Sequence, residues 1–122
     1  MKRTILLGTL VMLLALCSNS VALGGSRYQT SLSIGYSPSS GGSFAGKVRS
    51  HAGCVGGRKV VVYRKGPGSD RSIGNDTAAA SGRWSVAASK PAAGDYYAKT
   101  SGLTLNSGGK CASAKSVSTH VS

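Results

Sequence analysis

Residues 82–99 of the 122-residue chain read GRWSVAASKPAAGDYYAK and contain the only Trp and two of the five Tyr. Apolar and polar residues alternate on both sides of a Pro/Gly-containing turn, Lys90–Gly94. Two alternating runs around such a turn predict neighbouring antiparallel strands, that is, a hairpin. We therefore expect this hairpin to be the centre of the core. The side chains expected to face inward are Trp84, Val86, Ala88, Tyr96 and Ala98.

Further alternating segments lie on both sides of the hairpin. No helical period follows the first 22 residues, and turn-forming residues separate the runs. About seven short strands of this kind predict an all-β fold, a small antiparallel β-sandwich. Residues 101–110 have the composition of a loop, and the last run is expected to place Val117 on the same face as Val121. Outside the hairpin, the expected strands cover residues 27–36, 44–50, 58–64, 72–80 and 112–121.

The N-terminal segment has the pattern of a signal peptide, with a basic start, an apolar run and small residues before position 23. The apolar run, Ile5–Leu16, is about 12 residues long, whereas a membrane span needs roughly 20. We predict a signal peptide at residues 1–22 and a single secreted domain at residues 23–122, which is not an integral membrane protein. Cys17 leaves a lipid anchor open as an alternative.

Two cysteines, Cys54 and Cys111, remain after the leader. An even number of cysteines in an exported chain predicts a disulfide. His51 beside Cys54 also allows a thiol nucleophile, and a zinc site would add His120. The nine-residue step from Cys111 to His120 is outside the usual spacing of zinc ligands, so we expect the disulfide and no metal.

The residues after the leader are strongly basic. They include thirteen of the fifteen Lys/Arg and all three acids, and thirteen against three gives a net charge of +10. Such an excess favours anionic partners. Three scattered Asp offer no carboxylate pair for acid–base catalysis, and no phosphate-binding motif is present. We therefore expect no enzyme activity and no cofactor, and the absence of a nucleic-acid-binding signature argues against nucleic acid as a partner.

Two tyrosines, Tyr63 and Tyr97, have basic neighbours along the chain. If Val60 and Val62 face the core, and Tyr96 and Ala98 do so on the later strand, both tyrosines face outward. Tyr63 and Tyr97 then belong to an exposed aromatic and basic platform for binding glycans or polyanions. Because residues 60–62 are apolar throughout, the opposite orientation stays open. The candidate binding residues are Lys47, Arg49, Arg58, Tyr63, Arg64, Lys65, Tyr97 and Lys99.

Several short motifs occur in an order typical of one class of domain. They are Phe44-x-Gly46-x-Val48, Cys54-x-x-Gly57-Arg58-x-Val60-x-Val62-Tyr63-Arg64, Gly82-x-Trp84-x-Val86, Gly94-x-Tyr96-Tyr97-Ala98-Lys99 and Cys111. Residues 44–121 resemble small bacterial extracellular domains of the transthyretin-like (prealbumin-like) or carboxypeptidase-regulatory-like class. The resemblance implies an Ig-like β-sandwich, a disulfide bond between Cys54 and Cys111, and a structural or binding role without catalysis.

These observations predict a secreted, non-catalytic module at the cell surface or envelope. Its basic surface would contact anionic envelope polymers or an extracellular protein. The alternative is a secreted effector or inhibitor that presents a loop, residues 64–72, to a protein partner.

Overall fold

The computed structural model describes residues 26–122, where it contains β-strands and one 3-10 turn, Ser39–Gly41, but no α-helix. The predicted signal peptide and Cys17 lie outside the described residues. Within residues 26–122, no helix has the length and apolar character needed to cross a membrane. The strands are β1 (Arg27–Tyr28), β2 (Thr30–Leu32), β3 (Gly35–Ser37), β4 (Ser43–Ser50), β5 (Lys59–Arg64), β6 (Arg71–Thr77), β7 (Arg83–Ala87), β8 (Gly94–Thr100), β9 (Leu103–Thr104), β10 (Lys110–Cys111), β11 (Ala114–Lys115) and β12 (Thr119–Val121).

Two antiparallel sheets face each other. In the five-stranded sheet, β6, β5 and β8 lie side by side, and β11 and β12 both pair with β8. In the four-stranded sheet, β2 and β3 pair with successive parts of β4, and β7 also pairs with β4. The buried core draws on both sheets, as expected of a β-sandwich. The predicted all-β class is confirmed.

Strand alternation decides which side chains fill the space between the sheets. Val60 and Val62 of β5 are fully buried, which places Tyr63 on the outer face and resolves the orientation that the sequence left open. At the centre, the rings of Phe44 and Tyr96 lie 4.6 Å apart between their centroids. The buried core consists of Leu32, Phe44, Val48, Val60, Val62, Ala78, Trp84, Val86, Tyr96, Ala98 and Val121.

The predicted hairpin of β7 with β8 is wrong. Strand β7 pairs with β4 in one sheet, and β8 pairs with β5 in the other. The connection at residues 88–93 therefore carries the chain from one layer to the other. Trp84 and Tyr96 both face the core as expected, but from opposite layers. Alternation predicts the buried face of a strand, whereas a short Pro/Gly connection is equally compatible with a hairpin and with a crossover.

The C-terminal strand also differs from the prediction. It is divided into β11 and β12, and Val117 between them is 79% exposed rather than inward. Ser116 is buried in its place. The Ser116 hydroxyl accepts a hydrogen bond from the Ala98 backbone N–H at 2.8 Å and donates to the Val117 carbonyl at 2.8 Å. These bonds satisfy the polar groups where the strand is interrupted.

A third, small sheet adjoins the disulfide. Strand β1 pairs in parallel with β10, which in turn pairs with β9, so the predicted loop at residues 101–110 contributes two strand segments. Cys111 of β10 is bonded to Cys54, with their Cα atoms 5.6 Å apart. Both cysteines are buried. The predicted disulfide is confirmed.

Candidate functional site

The outer face of the five-stranded sheet carries a groove of about 680 Å³. Strand register builds it, because Val61 lies opposite Lys99 and Lys99 lies opposite Lys115. Lys59 is on the same face as Val61, two residues earlier on β5. We call this surface the lysine groove and define it by Lys59, Val61, Tyr63, Lys99, Ser113 and Lys115.

The lysine groove concentrates positive charge. Its three lysines, Lys59, Lys99 and Lys115, are exposed, and none of the described residues that line it is acidic. Lys99 and Lys115 occupy directly opposite positions on neighbouring strands, an arrangement that like charges make unfavourable. No acidic side chain lines the groove, and the nearby Asp70 carboxylate interacts electrostatically with Lys115. An anion bound between the three lysines would reduce the repulsion that remains among them.

Two tyrosine rings hold the lysine side chains in place. The rings of Tyr63 and Tyr97 are stacked, with centroids 5.4 Å apart. The Lys115 Nζ lies 4.5 Å from the centre of the Tyr97 ring, and the Lys99 Nζ lies 5.7 Å from the centre of the Tyr63 ring. Cation–π contacts of this kind contribute about 0.5–1 kcal/mol at exposed sites. Tyr97 is buried, so its expected place on an exposed aromatic platform is wrong, and the tyrosines act as supports for the ammonium groups.

A loop carboxylate orients Tyr97. The Tyr97 hydroxyl donates to the Asp70 carboxylate, which also accepts the Gly66 backbone N–H at 3.2 Å. These hydrogen bonds, Tyr97 first, lower the pKa of Asp70, and the bond to Asp70 raises the pKa of Tyr97 to about 12. Because the pKa of Asp70 is lower in the folded protein than in the unfolded chain, its ionised carboxylate stabilises the fold at pH values above the ordinary carboxyl pKa. This stabilisation is lost as the pH falls through the lowered pKa. Because the pKa of Tyr97 is higher in the folded protein than in the unfolded chain, its protonated phenol stabilises the fold at pH values below the ordinary phenol pKa. This stabilisation is lost as the pH rises through the raised pKa of about 12.

We expect the Asp70→Asn variant to bring the pKa of Tyr97 down toward the ordinary tyrosine value of about 10, because the neutral amide no longer stabilises the protonated phenol. Spectrophotometric titration of tyrosinate measures this pKa. The difference between the wild type and Tyr97→Phe isolates the Tyr97 transition from those of the other four tyrosines. A Tyr97 pKa unchanged by Asp70→Asn would contradict the assigned hydrogen bond.

The other predicted binding residues are dispersed. Lys47 and Arg49 lie on β4, and Lys47 is directly opposite Arg83 on β7. In the depression beside Arg83 the lining includes the acidic residue Asp76, so this surface differs from the lysine groove. Lys65 is exposed in the loop after β5. Of the eight candidates, Tyr63, Tyr97 and Lys99 are brought together on one face.

Arg58 is not a surface residue, which corrects its place among the binding candidates. Its side chain is buried, with 2% of the residue exposed. The guanidinium donates to the carbonyls of Cys54 at 2.7 Å, Ser101 at 2.8 Å and Ala112 at 2.9 Å. Burial lowers the pKa of Arg58 from its usual value. Arg58 therefore joins three chain segments around the disulfide, where its charge is balanced by carbonyl dipoles.

Lys59 and Lys115 were not among the binding residues predicted from the sequence. Lys59 is four residues before Tyr63 on β5, so the alternation of side chains along the strand places both on the outer face. Lys59 was therefore predictable from the sequence once Tyr63 was assigned to that face. Lys115 reaches the groove only because β11 pairs with β8. No local pattern in the sequence indicates that β11 pairs with β8.

Within the described part of the chain, the two histidines contact residues other than Cys54 and Cys111. His51 stacks on Tyr28 with ring centroids 4.0 Å apart, and Cys54 is held in the disulfide rather than free as a thiol. The His120 Nδ1 lies 2.8 Å from the Asp95 carboxylate, and both side chains are exposed. Within residues 26–122, no three His, Cys, Asp or Glu side chains are grouped closely enough to hold a metal ion.

The chain matches no protein-family model, no curated protein and no solved structure with which it was compared. The resemblance to transthyretin-like and carboxypeptidase-regulatory-like domains therefore stays a prediction.

Proposed function

We propose that this protein is a secreted, non-catalytic binding module that attaches to an anionic polymer outside the cell through the lysine groove. One observation carries the proposal: Lys59, Lys99 and Lys115 converge on a groove whose described lining holds no acidic residue. The signal-peptide pattern of the first 22 residues and the disulfide support a place in an oxidising, extracellular compartment.

The arrangement of the lysines favours a polymer over a single small anion. Lys99 and Lys115 occupy opposite positions on adjacent strands, whose backbones are about 4.8 Å apart. Lys59 is on the strand at the other side of Lys99, two residues from Val61, which lies opposite Lys99. The three backbone positions thus lie within about 12 Å of one another. A single small anion would have to draw the ammonium groups of Lys99 and Lys115 away from the tyrosine rings to one point, whereas a chain of spaced charges contacts each lysine where it lies.

We expect the purified protein to bind polyphosphate and heparin, and the Lys59→Gln/Lys99→Gln/Lys115→Gln variant to bind both roughly 10- to 100-fold more weakly. Each of the three exposed charge contacts that the variant loses contributes up to about 1 kcal/mol. Affinity should also fall as salt increases, because exposed charges are screened. Fluorescence anisotropy with labelled polymers at several salt concentrations measures both effects.

The opposite outer face supplies a matched control. Lys47→Gln/Arg49→Gln/Arg83→Gln removes the same number of charges from the four-stranded sheet. We expect this variant to change the affinity less than about threefold, because only the weak long-range field is altered. An equal loss in both triple variants would mean that diffuse charge, rather than the groove, holds the polymer. Binding that does not respond to salt would also contradict the proposal.

A loop-presenting effector or inhibitor is the second candidate, and the hydrogen bonds of Asp70 favour it. They tie the loop between β5 and β6 to Tyr97 and to Gly66, so the loop has a fixed shape that it could present to a protein partner. A fixed loop loses less entropy on binding. A partner interaction lost in Lys65→Ala/Pro67→Ala but kept in the lysine-groove variant would favour this function over polymer binding.

A further inference from the structure

A second cavity, of about 400 Å³, opens at one end of the sandwich. It lies where the β5–β6 hairpin meets the connection that follows β7. Its walls combine two arginines with apolar side chains, and the phenol ring of a core tyrosine contributes to its lining. The lining includes Arg64, Arg71, Ile73, Ala88, Pro91 and Tyr96.

The two arginines are brought together by an irregularity in the sheet. A β-bulge adds one residue, Ile73, between the two parts of the β6 pairing with β5. Because of this extra residue, Arg64 lies opposite Arg71 rather than opposite Ser72, which a continuous register would place there. Directly opposed cations repel each other. Bulges that re-aim side chains in this way are over-represented beside functional sites.

The guanidinium of Arg64 is held in place before any ligand arrives. Its Nη2 donates to the Ala93 carbonyl at 2.6 Å, and it packs on Gly94, where a Cβ atom would lie 3.1 Å from the Arg64 Nε. The Nε atom is buried and has no hydrogen-bond partner among residues 26–122. Because the contacts with Ala93 and Gly94 already fix the guanidinium, a ligand that binds it loses less side-chain entropy. None of the three aspartates lines the cavity.

We propose that this cavity binds a carboxylate attached to a short apolar group, with the carboxylate between Arg64 and Arg71. The planar guanidinium fork matches the geometry of a carboxylate and forms charge-assisted hydrogen bonds with it. The apolar part of the ligand lies against Ile73, Ala88 and Pro91, where its removal from water stabilises the complex. The volume, about that of a dozen water molecules, suits a small amphiphile. This site is separate from the lysine groove and does not depend on polymer binding.

Isothermal titration calorimetry with octanoate tests the site. We expect saturable binding to one site per chain, much weaker binding of acetate, which lacks the apolar group, and no binding of octyl glucoside, which lacks the carboxylate. A carboxylate next to an apolar group occurs both in free fatty acids and at the C-terminus of a peptide chain. An N-acetylated tetrapeptide that ends in leucine with a free carboxylate is therefore compared with octanoate. Tighter binding of the peptide assigns the site to a chain terminus, and tighter binding of octanoate assigns it to a free acid.

Arg64→Gln and Arg71→Gln should each weaken octanoate binding at least about tenfold, because each removes a charged donor. Arg83→Gln, the same change on the four-stranded sheet, should leave the affinity within about twofold. In the wild type, octanoate should shift the methyl NMR signals of Ile73 and Ala88, which tests the location even if a variant fails to fold. Absence of saturable binding, equal weakening by Arg83→Gln, or shifts confined to other methyl groups would each overturn the proposal.

Discussion

Replacing both Cys54 and Cys111 by alanine is expected to lower the free energy of unfolding by about 4 kcal/mol. The bond joins residues 57 positions apart, so it removes a large loop-closure entropy from the unfolded chain. A domain of this size is stable by roughly 5–15 kcal/mol in total, so the loss is a large share of it. The bond also links β10 of the small sheet to the segment that precedes β5.

Urea unfolding followed by the fluorescence of the buried Trp84 measures this loss. The matched control is the wild type unfolded with reductant present, which should approach the stability of the double variant because both lack the same link. Both cysteines are buried, so reduction should proceed only as the protein unfolds. A decrease below about 1 kcal/mol would contradict the entropic role given to the bond.

Arg58→Met is expected to lower the free energy of unfolding by roughly 3 kcal/mol. Methionine fills much of the space of the arginine side chain but leaves the carbonyls of Cys54, Ser101 and Ala112 without their donor. Each buried group left without a partner costs about 1–3 kcal/mol. Arg58→Lys keeps the charge but not the planar fork, so it should fall between Arg58→Met and the wild type.

The control for Arg58 is an arginine in a different environment. Arg83 is exposed on β7, and Arg83→Met should change the stability by no more than about 0.5 kcal/mol. Equal effects of the two substitutions would mean that the carbonyl contacts of Arg58 contribute nothing. Because Arg58 binds the Cys54 carbonyl directly, we also expect its loss and the loss of the disulfide to be non-additive in a double-mutant cycle.

The sequence predicted individual strands better than their partners. Val60, Val62, Trp84 and Tyr96 point inward as their alternation indicates, and Val117 does not, because the last strand is interrupted before it. In the candidate site, Tyr63, Tyr97 and Lys99 were predicted and are found on one face. Lys115 was missed because nothing local to it indicates which strand it pairs with.

The sequence by itself determined the all-β class, the inward face of most strands and the pairing of Cys54 with Cys111. These properties follow from a two-residue period and from cysteine number, which are local or countable. Only the tertiary structure decided that β7 and β8 belong to different sheets, that Lys115 lies beside Lys99, and that Arg64 opposes Arg71. Such partners depend on contacts between distant segments, and one bulged residue is enough to change which side chains meet.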